Sequence, residues 1–183
     1  NVKNMLNFHM LDVCGTTVSI DLSLSEDEQR KQIQSSRRNR INQCRRRGFS
    51  TEILIFCKEH IPIFINIYQD TMNRLGAVQS YHFDQSYYES LIQLDPHVFI
   101  CIIKQGDEPI CSGLFTECCG IVQYHLSGTM KEFLTLTPNT LMLDEVRQWA
   151  MARGNKVFHL GGGLGSQRDS LFDFKASFSK LHH

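Results

Sequence analysis

The sequence has no run of eighteen apolar residues, so it offers no candidate for a helix that crosses a bilayer. Its N-terminus is neither basic nor followed by an apolar stretch, so the mark of a secretory signal is missing as well. Internal repeats and low-complexity tracts are absent, and so is any Cys-x-x-Cys pair. Seven cysteines, at 14, 44, 57, 101, 111, 118 and 119, give an odd count with several members inside apolar runs. That pattern argues against a disulfide framework and against a zinc site, and for small core residues in a reducing, cytoplasmic compartment. No metal is expected. With 42% hydrophobic and 21% charged residues over 183 positions, one well-buried globular core is affordable. The chain opens at Asn1 rather than Met, which suggests a piece of something longer, and the closing His182-His183 pair is assigned no function.

Net charge is also lacking, since 19 Lys and Arg face 19 Asp and Glu, but the balance is uneven along the chain. From 29 to 48 there are eight basic residues (Arg30, Lys31, Arg37, Arg38, Arg40, Arg45, Arg46, Arg47) and no acid, leaving eleven basic against nineteen acidic elsewhere. A solvated helix face explains such a block, and so does an anion site for phosphates, RNA backbone or an acidic lipid surface. Arginine outnumbers lysine there, which favours bidentate phosphate contacts.

Local signals order the elements. Residues 16–22 alternate as a strand does, and Ser25-Glu-Asp-Glu28 reads as a capping box opening one helix that runs to about Arg47 and stops at Gly48. Its thin apolar stripe is Ile33, Ile41 and Cys44. A strand over 51–57 follows, then a helix with Pro62 in its first turn and Gly76 at its end, then a second helix capped by Asp84. Three strands (98–104, 109–119, 121–128) joined by turns at Gly106-Asp107 and Gly120 come next. A helix over about 140–153, a strand over 156–160, a glycine turn and a last helix from about Asp169 complete the order. Two consecutive helices between a first strand and an antiparallel meander are found in few α/β folds.

The glycine turn, "GGGLG" at 161–165, matches neither a dinucleotide-binding nor a Walker fingerprint. It can be a plain turn that lets strand and helix approach, or a backbone cradle for an anion. On the last helix Leu171, Phe172, Phe174 and Phe178 should be mostly buried, with Lys175 among them. Such a lysine either snorkels at a core edge or aims its charge at a phosphate or a developing oxyanion. His125 and His159 lie on strands expected to be neighbours, with Gln123, His125 and Ser127 on one face by strict alternation. Each histidine is a candidate general base or a hydrogen-bonded structural residue. No Ser/His/Asp or Cys/His nucleophile arrangement stands out.

Three stretches, "YHLSGT" (124–129), "LMLDEVRQWAMARGNKVFHLGGG" (141–163) and "DSLFDFKASFS" (169–179), resemble the C-terminal domain of Fem-type transferases. These are the peptidoglycan interpeptide-bridge enzymes and their relatives within the GNAT acyltransferase superfamily. The resemblance implies an α/β (α+β) fold of GNAT type, a mixed, mainly antiparallel sheet flanked by helices that stops short of its final strand or strands. It implies residues 1–48 as the end of an upstream domain plus a basic connecting helix, and 49–183 as the acyltransferase domain.

For chemistry, the resemblance implies amide-forming acyl transfer without metal, from an aminoacyl-tRNA ester or an acyl-CoA thioester, neither held as a tightly bound cofactor. Lys175 is the expected catalytic cation, with His125 and His159 as candidate bases. Arg37, Arg38, Arg40, Tyr124, Gly161, Gly162, Gly163 and Asp169 are candidates for donor or acceptor binding. The acceptor would be an amine on a cell-envelope precursor, tRNA an expected partner, and pairing of two copies through exposed strand edges a further expectation. The Arg/Gln-x-x-Gly-x-Gly/Ala loop of CoA-binding relatives is missing from "SGTMKEFLTLTPNT" (127–140), which favours a donor other than CoA. Two other readings stand beside this one. They are a CoA-dependent N-acetyltransferase acting on an amino sugar for surface polysaccharide, and a nucleic-acid-binding module that uses the basic helix without catalysis.

Overall fold

A computed structural model describes residues 15–183, so Cys14 and the opening at Asn1 lie outside it. Seven strands form one sheet in the order β2-β3-β4-β5-β6-β1-β7. The strands are β1 (Val18–Asp21), β2 (Ser50–Ile55), β3 (Val98–Gln105), β4 (Glu108–Cys118), β5 (Ile121–Thr129), β6 (Val157–Gly161) and β7 (Leu181–His182). Every pairing is antiparallel except β5 with β6, as the mixed GNAT-like sheet requires. The two-residue β7 pairs with β1, and Thr17 and His183 exchange backbone hydrogen bonds of 2.9 Å in each direction.

Two cores fill the two faces of the sheet. On one face α3 (Ile61–Leu75) and α4 (Gln85–Ile92) cover Ile100, Ile102 and Leu114 with an aromatic set of Phe56, Phe64, Tyr68 and Tyr88. On the other, α1 (Glu26–Gln32), α2 (Ser35–Arg46), α5 (Pro138–Ala152) and α6 (Ser170–Ala176) enclose Val18, Ile20, Ile41, Cys44, Phe115, Val122, Phe158 and Phe178. Each such fully buried side chain contributes roughly 1.5–3 kcal/mol of apolar transfer energy. The helix ends carry the signals read from sequence. Ser25 and Glu28 form the capping box, Asp84 caps α4, Asp169 caps α6, and Gly76 ends α3 in the left-handed region.

Four expectations need correction. The basic segment is two helices and not one, because the backbone extends at Ile33 (ψ 130°) and Gln34 (ψ 142°). A tertiary contact overrides helix propensity there. Ile33 is buried, the Gln34 amide donates to Ser177 O (2.9 Å), and Arg38 donates to the Arg30 and Ile33 carbonyls that the break leaves open. Leu171 is exposed, since the first turn of α6 faces solvent. Of the six described cysteines, Cys44, Cys101 and Cys111 are buried, whereas Cys118 and Cys119 are exposed at a hairpin tip.

The fourth correction concerns β5. Its register on β4 jumps between Leu114↔Leu126 and Phe115↔Tyr124, so His125 is the extra residue of a β-bulge. Alternation therefore slips by one. His125 and Leu126 both turn toward the α3/α4 layer, while Ser127 bonds the hydroxyl of Tyr124 on the opposite layer. Ser127 and His125 do not share a face.

Candidate functional site

The parallel pairing of β5 and β6 is short. It runs from Ile121↔Val157 to Gln123↔His159 and ends there, although β5 continues to Thr129 and β6 to Gly161. The bulge at His125 and the glycine turn together end it: one bends β5 away, and the other carries the chain over toward α6. The sheet thus opens between the C-terminal halves of two parallel strands.

The glycine turn is built for close approach. Gly161 has φ 77°, and a side chain on Gly162 would press on the Thr16 carbonyl at 2.8 Å. Asp169 locks the turn to α6, accepting from the Leu164 amide (3.0 Å) with one oxygen and the Phe172 amide (2.9 Å) with the other. These amides hold its carboxyl below the ordinary carboxylate range. Asp169 is therefore spent on geometry.

That geometry fixes Lys175. Its Nζ donates to Gly162 O at 2.6 Å and lies 5.7 Å from the centre of the Tyr124 ring. The side chain is 8% exposed, so it does not snorkel to solvent. An ammonium has three donors, and among the described residues Gly162 O is its one hydrogen-bond acceptor, which leaves two for a ligand. Burial lowers its pKa, with Asp169 acting in the opposite direction. Tyr124 is buried beside it and its phenol is pushed up, so it stays protonated and shapes the pocket wall.

The two histidines separate in role. His159 is half-buried where the strand pairing ends. Its pKa is lowered first by burial, then by the charge of Lys175, then by His183. His125 is also lowered, by desolvation, and its Nε2 sits 2.5 Å from the Tyr87 hydroxyl of α4. Both rings are thus held toward the neutral form, and only His159 feels Lys175.

The arginines do not converge on this site as a group. Arg37 bonds Ser177 Oγ (2.9 Å) and Thr140 Oγ1 (3.3 Å) and lies over Phe174, which makes it a clamp between α2, α5 and α6. Arg38 closes the break after α1, as described above. Arg45 pairs with Asp144 and Glu145. Arg40 and Arg46 are exposed on α2, and Arg47 is exposed at its C-cap.

Several features were not found by reading the sequence. Tyr87 is one; a tyrosine in "QSYYESLIQL" carries no mark of its partner. A Cys57–His60 pair is another, with Sγ 3.1 Å from Nδ1, although its thiol is pushed up, chiefly by a hydrogen bond to Glu59. A third is a buried polar knot, in which fully buried Arg147 donates to Asp144 Oδ1 (3.0 and 2.9 Å) and to Gln29 Oε1 (2.7 Å). The absence of acids from 29–48 and the DEVRQ run on α5 were visible, but their pairing was not.

The N-terminus of α5 is closed. Pro138 and Thr140 are buried, Cys44 Sγ donates to Leu136 O (3.2 Å), and Arg37 holds Thr140. Few backbone amides are open there for a pyrophosphate.

Residues 35–175 match the family described as Acetyltransferase (GNAT) domain. Among curated protein sequences none matches the chain. Solved structures do. One is a structure of FemX, at 14% identity and TM-score 0.73, covering 89% of this chain and 58% of that one. Another is a C-terminal domain attributed to a lysylphosphatidylglycerol synthetase from Agrobacterium fabrum, at 13% identity and TM-score 0.64, covering 90% and 56%. A third is L-PGS from Bacillus licheniformis, at 16% identity and TM-score 0.62, also covering 90% and 56%. The chain thus spans little more than half the length of these proteins, and at such identities the likeness is one of fold.

Proposed function

Because the chain belongs to the Acetyltransferase (GNAT) domain family, which covers residues 35–175, we propose that it transfers an acyl group to an amine, from an aminoacyl ester such as a charged tRNA. The observation that carries this reading is Lys175, a buried ammonium tied by one bond to Gly162 O beside the gap where β5 and β6 part. The closed N-terminus of α5 supports a donor other than coenzyme A. The likeness of fold to FemX and to the lysylphosphatidylglycerol synthetase domain supports aminoacyl transfer, with an amine on a cell-envelope precursor as the acceptor. The reaction would then take place in the cytoplasm, with tRNA as partner.

In this mechanism the acceptor amine attacks the donor carbonyl carbon, a C–N bond forms, and the carbonyl oxygen becomes an oxyanion. The two remaining N–H donors of Lys175 stabilise it. His159, kept neutral by burial and by Lys175, takes the amine proton and returns it to the ester oxygen as the C–O bond breaks. Arg40 and Arg46 of α2 and Arg47 at its C-cap are the exposed cations available to a donor's phosphates.

The test is a binding titration of the purified chain against acetyl-CoA and against an aminoacyl-ester minihelix, at two salt concentrations, beside Lys175→Ala. Salt-sensitive binding of the minihelix that the mutation weakens, with none to acetyl-CoA, is the expected result. Tight acetyl-CoA binding lost in the mutant would move the protein to the second reading, an N-acetyltransferase on an amino sugar, of which the family description supports the acetyl transfer alone.

A further inference from the structure

At the opposite end of β5 the chain does something unusual for a hairpin. Cys118 pairs with Ile121, so Cys119 and Gly120 alone make the turn, with φ 51° and 78°. Two positive φ values define a type I′ turn, whose first position favours Asn, Asp or Gly. Cysteine stands there instead, in a backbone region that side chains other than those seldom adopt.

The left-handed backbone has a chemical consequence. Adjacent side chains on a regular strand point to opposite faces. Here Cys119 is turned back and the two sulfurs lie 3.4 Å apart, sharing a hydrogen bond, with both residues exposed. The turn is also anchored: the Lys156 and Val157 amides donate to Gly120 O at 2.7 and 3.2 Å, and Glu117 beside it is held by Arg153 and Asn155. The shared hydrogen bond pushes the Cys118 thiol up.

We propose that Cys118 and Cys119 form a vicinal dithiol site that reduces low-molecular-weight disulfides and is itself closed to an intramolecular disulfide. One sulfur, after losing its proton, attacks the small disulfide, forming a mixed disulfide and releasing one thiolate. The neighbouring sulfur, after losing its own proton, attacks the protein sulfur of that mixed disulfide and releases the second. Two protein thiols are oxidised to one disulfide, one disulfide is reduced to two small thiols, and the two protons pass to the leaving thiolates. The site is separate from Lys175 and does not depend on the acyl-transfer reading.

The experiment exposes the full chain, under native conditions, to oxidised glutathione, alkylates the remaining thiols, and maps the peptides by mass. Mapping separates this pair from every other cysteine, Cys14 included. The expected result is a 118–119 peptide lighter by two hydrogens, carrying neither alkyl group nor glutathione. In Cys119→Asn, which suits the turn and so preserves the hairpin, glutathione should instead remain on Cys118. Alkylation of both cysteines in the wild type, or glutathione left unresolved on either, overturns the proposal. Phenylarsine oxide reads the same geometry: it should block both thiols together, with affinity falling roughly a hundredfold in Cys118→Ser. Equal affinity in the two proteins counts against the site.

Discussion

The ammonium of Lys175 and the carbonyl oxygen of Gly162, 2.6 Å apart, join the last helix to the glycine turn across thirteen positions of sequence. If that contact aims a cation at a developing oxyanion, Lys175→Met should lower kcat by roughly 10²–10³-fold. Circular dichroism and the unfolding midpoint should stay close to wild type, because the aliphatic stem is replaced by one of similar volume. Lys175→Arg restores charge without the point geometry and should recover only part of the rate. Retention of full kcat in Lys175→Met would remove the lysine from the chemistry.

The pH profile carries a second prediction. A base must be neutral, so activity should fall as pH drops through the folded pKa of His159, which lies below its ordinary 6.5. Removing the Lys175 charge takes away the second cause of that depression, so the acid limb measured on the residual activity of Lys175→Met should move to higher pH. An acid limb unmoved in both Lys175→Met and His159→Gln would assign the proton to another group. The same depression acts on folding. The unfolded histidine binds its proton more readily, so the His159 contribution to stability weakens as pH falls below about 6.5.

The glycines of the turn should differ sharply in tolerance. A side chain on Gly163 would overlap the Gln167 carbonyl and the Asp169 carboxylate, which is the cap of α6. Gly163→Ala should cost about 2 kcal/mol or more by displacing that cap. Gly165 has φ 56° and nothing within 4 Å, so Gly165→Asn, a residue that accepts this backbone, should change stability by less than about 0.5 kcal/mol. Urea midpoints of the two variants check the contrast.

For the buried knot, Arg147→Met alone strands Asp144, which keeps its bond from Arg45 and loses two donors. Either single change, Arg147→Met or Asp144→Asn, should cost about 3–5 kcal/mol, and the double variant clearly less than the sum. Chemical denaturation of the four proteins gives the cycle directly, and simple additivity would mean the two residues act independently.

Local chemistry made most of this fold legible. Capping residues Ser25, Asp84 and Asp169, the breaker Gly76 and the hairpin glycines act within one turn of where they stand, and each element they announced is present. What escaped was set at long range. The break at Ile33 follows from Ser177, over a hundred residues away in sequence, and the partner of Arg147 on α1 is Gln29. Lys175 and the glycine turn were visible as neighbours in sequence with an odd charge among phenylalanines. The Tyr87–His125 contact was not, because it crosses from a helix to a bulge, and neither a helix period nor strand alternation encodes it.

That bulge has a consequence of its own. Residues of β5 before His125 and those after it obey two different parities, much as a spliced message is read in two frames. Tyr124 and Ser127 meet on one layer only because one residue too many, His125, lies between them. Deleting His125 would therefore not merely remove a ring from the surface. It would take out the bulge and restore one parity along the whole strand, leaving Ser127 and Thr129 on their present layer and Gly128, which fits against the Ile67 backbone because it has no side chain, where it is. A single-residue deletion here would straighten the strand and keep both cores' contents, whereas deleting a paired residue such as Ser127 would put those beyond it on the wrong layer.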